Sequence, residues 1–256
     1  MATTWLPDVP AFLGFHPPEL NWLECDVLEF SIQQVWWSYL PFPSPVQNIL
    51  QLESHHVAPF GFYRFKGQDF DWFVKVVTPQ QAQRHQQADK TAEYLQNNNI
   101  AVSRLLEGFP YKLSEKQSVL AYNFLAGRFC QPTQADLQLL GQEIAKLHLA
   151  LSDFPNQSMV RDLGLSRHKI LRTTLQMVHL AEEIDLPDEV QQILDSIRTN
   201  DLDVLIEEAQ CVHGDLNLGN VWITEKGELT FLDFEDSLTA WFNPMKDLAF
   251  VLERFV

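Results

Sequence analysis

The chain has 256 residues, 46% hydrophobic and 20% charged, a globular balance that speaks against a disordered or collagen-like polymer and suits one large domain or two small lobes. Lys and Arg total 18 against 34 Asp and Glu, so the formal net charge is -16. A field of that sign repels phosphate backbones, which argues against general nucleic-acid binding; it tolerates a cationic small substrate, but solubility is the simpler account of it.

The first residues, MATTWLPDVPAF, have neither a basic start nor an apolar run, so they do not read as a signal peptide. Residues 1–50 form an aromatic, proline-rich segment with four of the seven tryptophans (Trp5, Trp22, Trp36 and Trp37). Its LPFPSPV stretch at 40–46 suits neither a helix interior nor a central strand, and its indoles are expected to pack. From 51 to 126 the signals are mostly β. VAPFGFYRF and DFDWFVKVV flank Lys66-Gly67-Gln68 as a hairpin, and a polar helix is predicted over about 80–97, ending in Asn97-Asn98-Asn99. Short strands fit 101–106, 109–113 and 117–124. Over 127–256 the helical period takes over. Leu137, Leu140, Ile144, Leu147 and Leu151 form one stripe, and further helices fit 166–183 and 187–198. CVHGDLNLGNVWITEKGELTFLDFED then reads as loop, strand, Lys226-Gly227 turn, strand. Cys25, Cys130 and Cys211 are odd in number, far apart and form no CxxC, which suits a reducing compartment. With no long apolar run, the chain reads as a soluble, cytoplasmic protein without a membrane partner.

The chemistry concentrates in His213-Gly214-Asp215-Leu216-Asn217-Leu218-Gly219-Asn220 and in Phe231-Leu232-Asp233-Phe234. Turn-capping residues on a strand–turn–strand would account for isolated Asp, Asn and Gly, but not for the whole spaced string. Phosphoryl transfer needs a carboxylate that orients or accepts the proton of the attacking hydroxyl. It also needs a carboxamide and a second carboxylate to hold the hard cation that bridges the phosphates. Protein kinases carry these groups on H-R-D-x-x-x-x-N and D-F-G with the same internal spacing.

The sequence resembles the aminoglycoside phosphotransferase and choline kinase family, the small-molecule branch of the protein-kinase-like fold, whose loop H-G-D-x-x-x-x-N and segment D-F-[DE]-[DE] are matched by HGDLNLGN and DFED. The resemblance implies a bilobal α+β fold with a small antiparallel-sheet N-lobe and a mainly helical C-lobe. It implies transfer of the ATP γ-phosphate (GTP is an alternative) to a hydroxyl of a small-molecule acceptor. On it Asp215 is the catalytic base, Asn220 and Asp233 hold Mg2+, and His213 supports the loop. Leu140-Gly141 with Ala145-Lys146-Leu147-His148 is similar to the family's LG…LAxLH helix. Asp247-Leu248-Ala249 is similar to its DLA motif, where the Asp braces the catalytic loop.

In the strand Trp72–Val77, alternation puts Phe73, Lys75 and Val77 on one face, and a lysine inside such an apolar strand needs an anion or water. The resemblance makes Lys75 the ligand of the α/β-phosphates, paired with Glu93 of the following helix or, failing that, Asp89. It makes Leu120–Gly127 the hinge, with backbone groups of Tyr122 to Leu125, Phe124 included, at the adenine edge.

Two features depart from the family pattern. The phosphate-covering loop, Glu53–Gly61, has a single glycine and a proline without an N–H. The sequence ends at Val256, soon after the DLA motif, where relatives usually continue into helices that wall the acceptor site. The wall is expected from the N-terminal aromatics, from Trp241 and Phe242, from a partner or from a second copy. Glu235 and Asp236 either attract an amine-bearing acceptor (choline, aminoglycoside or thiamine type) or stand behind the metal. The alternatives are a nucleotide-binding pseudokinase acting as an interaction module, and a protein kinase. Gly214 in place of Arg, and the absence of an activation segment between Asp233 and Asp247, oppose the latter.

Overall fold

The alternation on either side of Lys66-Gly67 folds as a hairpin. In the structure, a computed structural model describing residues 20–27, 35–53, 61–180, 192, 196 and 201–255, strand β3 (Gly61–Gly67) pairs antiparallel with β4 (Asp71–Val77). Gly67 is required by close approach: a Cβ there would sit 2.2 Å from the Phe70 ring. With β1 (Trp22–Cys25), β2 (Val46–Leu52), β5 (Tyr111–Lys112) and β6 (Ser118–Asn123), the hairpin builds a sheet in the order β1-β2-β3-β4-β6-β5 among the described residues. One face buries Tyr63, Phe65, Trp72, Val74 and Val119. The other carries Phe62, Phe73, Lys75 and Tyr122, with Phe73 registered opposite Tyr122 and Lys75 opposite Leu120.

The described part of the aromatic N-terminal segment closes this sheet's buried face. Trp36 packs edge-on against Tyr63 and Phe65, and Phe42 lies 5.2 Å from each of Phe65, Phe70 and Trp72. Trp22 lies against Phe73 and Phe124. Trp5 and residues 54–60 of the expected phosphate-covering loop lie outside the described residues.

Helix α1 (Pro79–Asn97) follows β4 directly. Thr78 caps it, accepting from the Gln81 N–H while the Gln81 side chain accepts from the Thr78 N–H, with Pro79 at the first position. The segment 101–106 makes only isolated bridges, Val102 to Phe231 and Leu105 to Tyr122, where a strand was expected.

Helix α2 (Gln134–Ser152) buries Leu140, Ile144, Leu147 and Leu151 as predicted, but Leu137 is 37% exposed. Asp136 takes the buried place in that first turn, bound by Arg128 at 2.5 and 2.9 Å and by the Gln131 N–H. The Arg128 guanidinium, against the opposing pull of burial, holds the Asp136 carboxyl below its usual range. Helix α3 (Gln157–Leu180) starts earlier than the predicted 166, and the helix expected over 187–198 falls mainly outside the described residues. After a short helix α4 (Asp201–Val204), β8 (Gln210–Cys211) pairs with β11 (Trp241–Phe242). Strand β9 (Val221–Thr224) lies between β7 (Gly127–Phe129) and β10 (Leu229–Phe231), and α5 (Met245–Phe255) follows β11. A second core joins α1, α2 and the β9–β10 hairpin through Leu95, Leu147, Leu216 and Phe231. No described helix is long and apolar enough to cross a membrane.

Candidate active site

The loop His213–Asn220 runs from β8 to β9 and is tied down at both ends. Asp247, fully buried at the start of α5, accepts the N–H groups of His213 (2.9 Å) and Gly214 (3.0 Å) and meets His148 Nε2 at 3.1 Å. Burial pushes its carboxyl up. The His148 hydrogen bond, the His213 imidazole and the Gly214 N–H outweigh that and hold it below the usual carboxylate range. His213 is itself fully buried: its Nε2–H donates to the Leu232 carbonyl (2.9 Å), and its Nδ1 faces the Asp215 N–H at 3.4 Å. The Leu232 N–H in turn donates to the Asn220 carbonyl at 2.9 Å. These bonds place the HGD loop beside the DFED segment although they are far apart in sequence.

Gly214 stands at φ +88, and a Cβ there would lie 2.6 Å from the Ala240 Cβ. No side chain fits, least of all the arginine that protein kinases place there. Gly214→Ala is expected to cost about 2 kcal/mol or more from the left-handed backbone and the clash together, read as a lower urea midpoint at unchanged slope.

Within the loop, Asp215 Oδ2 accepts from Asn217 Nδ2 (2.9 Å) and Asn220 Nδ2 (3.0 Å). Asn220 Nδ2 also donates to the Asp215 carbonyl at 2.9 Å, and Asn217 Oδ1 caps the short turn Leu218–Asn220 by accepting from the Gly219 N–H. Two consequences follow. Among the described residues no donor reaches Asp215 Oδ1, and the carboxamide oxygen of Asn220 points away from the group its nitrogen serves. Asp233 sits at φ +58, a strained value for a residue with a side chain, and its Oδ1 is buried with no hydrogen-bond partner. An uncompensated carboxylate oxygen and a free carboxamide oxygen on adjacent loops are hard ligands of the kind a magnesium ion takes, so these residues fit the ion.

Lys75 reaches this place from the sheet: its Nζ lies 3.7 Å from Asp233 Oδ2, between the rings of Phe62 and Tyr122 at 6.0 and 5.7 Å. Glu93 does not join it. Glu93 is 59% exposed on α1 and faces Arg104 at 3.7 Å, while Asp89, the fallback, is taken by Arg104 and by the Leu105 N–H. An α1 side chain that does face the cleft is His85, two turns before Glu93. Its Nδ1 meets the Tyr122 hydroxyl at 3.3 Å and its Nε2 lies 3.4 Å from Glu235 Oε2. Burial, then the Lys75 ammonium, push the His85 imidazole down to about 4 against the opposing pull of Asp233. Glu235 is raised by burial and by Asp233. The sequence carried a signal for His85: it continues the buried row Ala82, Ala88, Ala92 and Leu95 on an otherwise glutamine-rich helix.

Tyr122 thus reaches the cleft, but through its hydroxyl. Of the backbone groups expected at the adenine edge, the Phe124 N–H donates to the Asp71 carbonyl (2.8 Å), and the Phe124 ring lies 3.6 Å under the Arg64 guanidinium. A strand end continuing the β4–β6 ladder has consumed that donor. Glu235 and Asp236 both turn toward α1, Asp236 to Arg84 at 3.5 Å. Trp241 packs into the core against α3, where a Cβ on Gly164 would lie 2.4 Å from its own. Sequence reading passed over Lys246. Its ammonium donates to the Gly214 carbonyl and lies 4.9 and 5.3 Å from the Phe242 and Phe250 rings, and burial lowers its pKa.

Residues 60–256 match the profile of the phosphotransferase enzyme family. Among solved structures, the chain is similar to an aminoglycoside-3'-phosphotransferase of type VIII, with 18% identity, a TM-score of 0.52, and coverage of 88% of this chain and 82% of that one. It is similar to choline kinase LicA from Streptococcus pneumoniae, with 15% identity, a TM-score of 0.53, and coverage of 89% and 74%. It is also similar to an aminoglycoside phosphotransferase in complex with GDP and kanamycin, with 14% identity, a TM-score of 0.56, and coverage of 88% and 78%. A search of curated proteins finds no match. Together these establish the protein-kinase-like fold, an antiparallel sheet followed by a mainly helical region.

Proposed function

The chain belongs to the phosphotransferase enzyme family, and on that premise we propose that it transfers the γ-phosphate of ATP, or of GTP, to a hydroxyl of a small molecule. The observation that carries this reading is the setting of Asp215. Two carboxamides hold its Oδ2, and Oδ1 is left for an incoming hydroxyl. Asp215 would orient that hydroxyl for in-line attack and take its proton as the bond to phosphorus forms. Lys75 would move from Asp233 to the α/β-phosphates, a displacement that its long 3.7 Å contact makes inexpensive. Asn220 and Asp233 would hold magnesium, which when bound neutralises phosphate charge. His213 and Asp247 touch no reacting atom and position the loop. Tyr122 lines the cleft beside Lys75.

Amine-bearing acceptors of the aminoglycoside, choline or thiamine type are the first class to test, because such acceptors occur among the proteins of this fold and the chain carries a net charge of -16. Nucleoside diphosphate release should be followed from purified protein with ATP or GTP and Mg2+, across amino alcohols, aminoglycosides, thiamine and sugars, with Asp215→Asn as control. Acceptor-stimulated release that the variant loses supports the proposal and names the acceptor class. A folded protein that neither turns over nor binds Mg-nucleotide would sink it.

A further inference from the structure

Beside Lys75 the cleft brings together an imidazole and two carboxylates from different parts of the chain. One ligand atom each of His85, Asp233 and Glu235 lies within 4.8 Å of the others. We propose that these three side chains form a binding site for a borderline divalent ion of the Zn2+ or Co2+ kind, filled in the nucleotide-free protein. This does not rest on the kinase reading, although the site shares Asp233 with the magnesium position proposed above.

Four observations carry it. Asp233 Oδ1 is buried without a donor, and a carboxylate oxygen cut off from water in this way is costly unless a cation or proton supplies what solvent no longer can. His85 is only 9% exposed, and the Tyr122 hydroxyl occupies its Nδ1. That leaves Nε2 turned to Glu235 at 3.4 Å, too long for a strong charge-assisted bond. A hydrogen-bond partner on the far nitrogen fixes ring orientation at metal-bound imidazoles, and here the Tyr122 hydroxyl takes that place. A cavity of about 20 Å³ lies against two of the three side chains, lined among others by His85, Asp89, Tyr122 and Asp233 but not by Glu235, and has room for one water or ion beside them. Finally, the cations nearby do not saturate the carboxylates. Lys75 meets Asp233 through Oδ2, at 3.7 Å, and Arg84 is drawn to Asp236. The imidazole sets the choice of ion, because nitrogen ligands suit zinc and cobalt, whereas magnesium takes oxygen.

The test uses the full chain, free of tags and nucleotide and stripped with a chelator. Co2+ is titrated against its visible absorption, Mg2+ is titrated by calorimetry, and far-ultraviolet circular dichroism checks the fold. The wild type is expected to bind one Co2+. His85→Gln is expected to weaken Co2+ about tenfold or more while leaving Mg2+ affinity within about twofold. Glu235→Gln, at a more exposed position, should weaken Co2+ likewise and serves if the first variant does not fold. Asp215→Asn should bind Co2+ as the wild type does, which separates failure of this site from failure of the kinase reading. Absence of stoichiometric Co2+ binding, or a folded variant that loses less than tenfold, overturns the proposal.

Discussion

Asp215→Asn is expected to lower acceptor-stimulated nucleoside diphosphate release by about 10²- to 10⁴-fold, the range that a positioned general base contributes, with little change in unfolding. The asymmetry follows from the hydrogen bonds. Asn217 and Asn220 donate to one oxygen of the carboxylate, and a carboxamide keeps one oxygen in that place. What it loses is the second oxygen, which alone can take a proton from the acceptor. The loss should fall on kcat with KM for the nucleotide nearly unchanged, because Asp215 is assigned no contact with the nucleotide. A variant with wild-type turnover would remove Asp215 from the reaction, whatever the rest of the cleft does.

The second large effect is on stability. Asp247→Ala leaves the N–H groups of His213 and Gly214, and the ring of His148, facing an empty buried acceptor position. Breaking such a site costs about 3–5 kcal/mol, which for a chain of this size is a fall in Tm of about 10 °C. Thermal unfolding by circular dichroism measures it, and Asp247→Asn, which keeps one acceptor oxygen, should recover part. The same carboxylate gives the protein an acid dependence. Its folded-state pKa lies below the unfolded value, so its contribution is complete above the unfolded carboxylate value of about 3.9 and is lost as pH falls through the lower folded one. Asp247→Asn should therefore show a shallower decline in stability below about pH 4 than the wild type.

The motif strings were legible because they are local. The residues from His213 to Asn220 form one loop whose spacing already sets which carboxamide serves which carboxylate, and the β9–β10 hairpin delivers Asp233 nearby. Lys75 was legible for a similar reason, since period-2 alternation on a strand decides the face. Leu137 was misjudged because a helical stripe predicts a face but not where the neighbouring elements end. At that turn Arg128 and the Gln131 N–H favour Asp136.

Which α1 side chain meets the cleft is not legible in the sequence. Helical spacing leaves His85, Asp89 and Glu93 within one broad sector of α1, and the residue that meets the cleft depends on how that helix is rotated and raised on the sheet. Arg104 decides it by claiming Asp89 and facing Glu93, which leaves His85 beneath Tyr122. Chain order places backbone groups of Tyr122 to Leu125 at an adenine edge, and of these the strand pairing takes the Phe124 N–H, which chain order does not show. Spacing along one loop or strand is a property of covalent geometry and can be read in one dimension. The competition of several donors for one acceptor, across elements far apart in the chain, is settled only when packing brings them together.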